Sequence, residues 1–217
     1  VGHATTGTLD AAQDNTGVGI DALDAITSAD NNVAVGSGAG TAITTSPGNT
    51  LVGAFTGRQY ATGTGLNTHV GYASGWFNTS GTYNTAVGSL ALYGTTGEVG
   101  NYNTAVGRNA LQVCYGDQNI SLGYHAGDNI TTGDGNVVIG RTDVASATGN
   151  NQLSISSGQS GGAVWMTGDS SANVTFAAEV AAATLDISGN IDIDGTSNLD
   201  AVDIDGAVQI DGTVTVG

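Results

Sequence analysis

Few residues in this chain have the type and spacing to do chemistry. The histidines His3, His69 and His125 stand at different places of the repeat described below: just after its glycine, before its valine, and two past its glycine. Without a shared register they form no metal ladder along one chain. Across a symmetry axis each could meet its copies around a metal ion, but a surface or packing role is the expectation. Asp192-x-Asp194-Gly195 and Asp203-x-Asp205-Gly206 are half of a calcium loop and lack its closing glutamate. They read as a solvated acidic face, with weak Ca2+ binding the one cofactor alternative. Gly36-x-Gly38-x-Gly40 departs from the dinucleotide fingerprint, and a chain without lysine has no phosphate-binding Gly-Lys-Ser/Thr loop. Glu98 and Glu179 are the only glutamates, so a carboxylate pair for glycoside cleavage is a minor reading and no catalytic residue is expected. Tyr72, Trp76, Phe77 and Tyr83 are crowded for a chain with 6% aromatics. They could stack on sugar rings; packing between chains, or pinning a loop, is the first reading. The single cysteine, Cys114, allows no intrachain disulfide and reads as a small buried hydrophobe. Asn78, Asn119, Asn129 and Asn173 match Asn-x-Ser/Thr, as expected by chance in an Asn/Thr-rich chain.

The elements that must carry these residues are set by a repeat. Asn-Thr-x-Val-Gly recurs with small changes, its glycines falling at Gly2, Gly19, Gly36, Gly53, Gly71, Gly88, Gly107, Gly123 and Gly140, 16 to 19 residues apart. An aliphatic residue precedes each: Val18, Val35, Val52, Val70, Val87, Val106, Leu122 and Ile139 follow the first, Val1. In most copies a small residue stands three places after the glycine, and Leu or Gly one further. Turn formers fill the rest, and no 3.6-residue apolar period exists to support a helix. A unit this short cannot bury its own apolar face, but stacked units can. The expectation is a parallel β-solenoid of about nine 17-residue coils. The aliphatic position is expected to form an internal core ladder, with each glycine at a corner where a side chain would clash. So thin a core argues for association between chains.

Composition narrows function. Three arginines (Arg58, Arg108, Arg141) face 19 acidic residues, a formal net charge of -16, which argues against a nucleic-acid partner. No apolar run is long enough to insert in a membrane. Only 10% of residues are charged and 39% are hydrophobic, unlike an acidic disordered tail. The chain starts with Val1 and no leader pattern follows, so it is expected to be processed or part of something longer.

Asn84-Thr-Ala-Val-Gly-Ser-Leu-Ala-Leu92 and Asn103-Thr-Ala-Val-Gly-Arg-Asn-Ala-Leu111 resemble the repeats of phage tail-fibre proteins and related bacterial surface proteins. They are similar also to the shorter head repeats of trimeric autotransporter adhesins. The resemblance covers roughly residues 1–144, and copies such as Ser37-Gly38-Ala39-Gly40 depart from it. It implies a homotrimer about one axis, a structural role in a virion tail or appendage, and contact with a host receptor or glycan. A cell-surface adhesin or extracellular filament is the alternative; a polysaccharide-degrading tailspike is the second.

Three segments are expected: the solenoid at 1–144, a connector at 145–184 and an Asp-rich β-ladder at 185–217. Val164-Trp165-Met166 and Val174-Thr175-Phe176 read as short strands of the connector, and Phe176 to Leu185 as a strand in preference to a helix. The last segment resembles ladders of marine phage structural proteins. Seven aspartates and no basic residue alternate there with aliphatics, and intertwined chains would supply its missing core.

Overall fold

The structure, a computed structural model, describes residues 12–95, 100–158, 162–178 and 180. The chain divides into two units, 1–179 and 180–217. His3, the first repeat glycine Gly2 and the Asp-rich segment 185–217 lie outside the described residues, and so do 179 and 181–185 of the stretch considered as helix or strand.

The first unit is an all-β parallel solenoid. Each repeat contributes one three-residue strand: β1 (Thr16–Val18), β2 (Val33–Val35), β3 (Thr50–Val52), β4 (Thr68–Val70), β5 (Thr85–Val87), β6 (Thr104–Val106), β7 (Ile120–Leu122) and β8 (Val137–Ile139). Each pairs in parallel with the next in strict repeat register, Thr85 beside Thr104 and Val87 beside Val106. Seven steps at about 4.8 Å make this sheet about 34 Å long.

The register continues past residue 144, further than the repeat was read in sequence. β9 (Leu153–Ser156) pairs in parallel with β8. Gln152 takes the asparagine place there and Ser156 the glycine place, so the pattern is present in altered letters. β10 (Val164–Gly168) and β11 (Val174–Phe176) then join antiparallel.

The internal ladder is not the one read from sequence. Val18, Val35, Val52, Val87, Val106, Leu122 and Ile139 point outward, 36–45% exposed, and Val70 is half-buried. The middle residue of each strand points inward: Ala34, Leu51, His69, Ala86, Ala105, Ser121 and Val138 are all 0–1% exposed. A strand alternates faces, so only one of two neighbouring positions can be internal. The coil is narrow, which explains the choice. The middle residue faces the residue four past the corner glycine, and in five coils the pair holds one large and one small or absent side chain, while Ala34–Gly40 and Ser121–Gly127 are small on both sides. The five are Gly17 with Leu23, Leu51 with Gly57, His69 with Gly75, Ala86 with Leu92, and Ala105 with Leu111. A Cβ on Gly57 would sit 3.1 Å from a Leu51 methyl. The position seven past the corner glycine completes the layer, with Ile26 beside Leu23 and Ile43 beside the Ala34–Gly40 pair.

Two backbone ladders lock the stack. The corner glycines stack so closely that a Cβ on Gly19, Gly71 or Gly88 would lie 2.5–2.6 Å from the next glycine's carbonyl oxygen. Gly36, Gly53, Gly107 and Gly123 occupy the same corner at φ of 132–140°, and Gly140 stands at 94°. The second ladder is asparagine. The Oδ1 of Asn15 accepts the backbone N–H of Asn32 at 2.9 Å, and the step repeats through Asn49, Asn67, Asn84, Asn103, Asn119 and Asn136 to Gln152, at 2.8–3.1 Å. Most of these amides also donate to the carbonyl that closes the neighbouring coil, as Asn84 does to Gly100. Buried backbone groups at the coil junction are thereby satisfied where an apolar side chain would leave them orphaned, at about 1–3 kcal/mol each.

Candidate functional site

Two surfaces and one buried group stand out once the coils are placed. The first surface is the outer face of the sheet, where Thr16, Thr50, Thr68, Thr85 and Thr104 run in one column and the aliphatic residues in another. No outward residue of β1 to β8 is charged, although the chain carries -16.

The second surface begins just past the corner glycine, where the turn points several residues outward. Tyr72, Trp76 and Phe77 come together there, with three partners that sequence reading did not join to them. Phe55 lies 6.0 Å from Tyr72 and 5.4 Å from Trp76, centroid to centroid; Tyr93 lies 5.2 Å from Phe77. The Arg58 guanidinium stands 4.9 Å over Trp76 and 5.4 Å over Phe55. The 17-residue period was the available signal, since it stacks Arg58, Trp76 and Tyr93 at one place of the coil. Tyr83 does not belong to this group. It precedes an asparagine, at a different corner, and stacks on Tyr102 at 5.0 Å with planes 3° apart.

Further along the same turn Tyr124 lies between Arg108 and Arg141, at 5.6 and 4.9 Å. All three arginines of the chain therefore cover aromatic rings. Beside them His125 Nδ1 bonds to Asp128, while Asn109 reaches His125 Nε2 at 3.3 Å. Burial and the Asp128 charge raise the Asp143 carboxyl above its usual range. Among the described residues, no group of three or more His, Cys, Asp or Glu is arranged to hold a metal ion. Cys114 is fully buried, bonded by Asn119 Nδ2 at 3.4 Å, and burial pushes its thiol up to about 12.

His69 is the buried group. It fills the middle position of β4 at 1% exposure, and neither ring nitrogen has a partner. Desolvation lowers its pKa to about 4 from 6.5. The unfolded chain binds the proton more tightly, so stability is fully present above about pH 6.5 and is lost as pH falls toward 4. A shift of this size corresponds to about 3 kcal/mol. Urea unfolding of His69→Leu, which copies the Leu51–Gly57 layer, is expected to lack this decline between pH 6.5 and 4, while the parent shows it. Parallel curves would refute the assignment.

These features define a class: a parallel β-solenoid held by glycine and asparagine ladders. No protein-family model, no curated protein and no solved structure matches the chain. Among the described residues, no helix is long and apolar enough to cross a membrane.

Proposed function

We propose that this chain is a non-enzymatic structural segment of a homotrimeric fibre, of the kind its repeats resemble in phage tails and virion appendages. The uncharged outer sheet face carries the reading. Eight strands present an unbroken aliphatic column, from Val18 to Ile139, to the outside of a strongly acidic chain. Isolated exposed valines are ordinary, but a continuous column of this length on a flat face is a surface for burial. The face measures roughly 34 Å by 10 Å. Packing it against two copies adds the second apolar layer that the alanine-rich interior lacks, and it buries no charge. The function is then mechanical: stacked coils bear load through backbone hydrogen bonds along the axis, and association supplies stability.

Light scattering of the purified full chain tests this. A trimer is expected, and Val87→Asp with Val106→Asp is expected to give monomers that keep the β-rich circular dichroism spectrum. A monodisperse wild-type monomer refutes the reading.

A further inference from the structure

We propose that the aromatic and arginine belt of the third to sixth coils binds a linear glycan carrying carboxylate groups. Three observations carry it. First, the rings are presented and not buried: Tyr72 is 53% exposed, and Trp76, Phe77 and Tyr93 are half-buried. Sugars offer apolar C–H faces that stack on such rings. Second, Arg58 is exposed and stands over Trp76 and Phe55. A guanidinium stacked on rings presents N–H donors suited to bidentate contact with a carboxylate. Third, charge is distributed unevenly. Between residues 31 and 116 the only acid is Glu98, set against Arg58 and Arg108; five acids precede this stretch and thirteen follow it. Along the turn the belt is therefore the stretch where cations outnumber acids, with Asp24 two coils before Arg58 and Asp128 one coil after Arg108.

The charge density selects a glycan over a nucleic acid. Two arginines three coils apart, about 14 Å along the axis, match widely spaced acid groups. A nucleic-acid strand carries a phosphate about every 3.4 Å. This proposal stands apart from the trimer, because the belt starts beyond the corner glycine and shares no residue with the strand face. A trimer that fails to bind, or a monomer that binds, separates the two.

The test uses the full chain with Trp165→Phe, which leaves Trp76 as the only tryptophan reporter. Hyaluronan oligosaccharides, which carry one carboxylate per disaccharide, are expected to change Trp76 fluorescence saturably, and dextran oligosaccharides of equal length to bind at least about fivefold more weakly. Arg58→Gln should weaken the hyaluronan oligosaccharides about tenfold, in line with loss of a charged hydrogen-bonding partner, and leave dextran unchanged. Tyr72→Ala should weaken both. No saturable binding, equal affinity for the neutral glycan, or tighter binding of oligo(dT) overturns the proposal.

Discussion

Alanine at Gly88 should break the solenoid between β5 and β6. The added Cβ would lie 2.6 Å from the Gly107 carbonyl oxygen and 2.7 Å from its carbon, both backbone atoms that cannot rotate away. The Gly88 backbone, at φ 137°, is also one that a residue with a Cβ rarely adopts. Relief requires the two coils to separate, and that breaks the in-register pairs Thr85–Thr104, Ala86–Ala105 and Val87–Val106. Backbone strain and overpacking together should cost at least about 4 kcal/mol. For a domain of this size the midpoint of thermal unfolding should fall by about 10 °C or more. Ser89→Ala, one residue away, is the control and should change it little. A Gly88→Ala protein within 2–3 °C of the parent, on the scale of about 1 kcal/mol, would show that the glycine ladder is dispensable.

Leucine at Gly75 should destabilise severely, and His69→Ala should rescue it. The backbone is no obstacle: Gly75 has φ 61°, while Leu23, Leu92 and Leu111 occupy the same place at 56°, 48° and 48°. The obstacle is the His69 ring, which occupies the space of the new Cβ; its Cγ would be 3.1 Å away and two further ring atoms closer. Alone, Gly75→Leu must expel a fully buried ring and should cost about 3 kcal/mol or more. His69→Ala alone leaves a void beside a glycine. The double variant recreates the Ala86–Leu92 layer one coil earlier and should return close to the parent. Urea unfolding of the four proteins gives the coupling energy directly, expected near 2–3 kcal/mol. Additive costs would mean that the two positions do not share one volume.

Much of this architecture was legible in sequence because a solenoid writes its period plainly. The recurrence of Asn-Thr-x-Val-Gly pointed to the coil length and the parallel pairing, and argued against a helix within the repeat. The inward residue was less legible. Uniform Val was read as core, and the mixed series of Gly, Ala, Leu, His, Ser and Val one place before it was given no role. The series is mixed because each member answers the residues that share its layer, such as Ile43 beside Ala34 and Gly40 or Leu92 beside Ala86, a relation that no single column displays. Asn84 and its equivalents were visible as an invariant letter but read as turn formers. Their amides bond to the next coil, and sequence distance conceals that contact. Tyr83 was grouped with Tyr72 and Trp76 by proximity along the chain; the coil sends it to another corner.

The sequence by itself determined that this is a repeat of stacked strands with an obligatory glycine. Period and residue type depend only on local geometry and on the need of short units to share a core. Only the tertiary structure decided which face of each strand is internal, because a strand's two faces are exchanged by the direction in which the coil closes. That choice turned an assumed core of Val18, Val35, Val52, Val87, Val106, Leu122 and Ile139 into an outer face. It also drew Arg58, Phe55, Trp76 and Tyr93, up to 38 residues apart in sequence, into one belt along the turn.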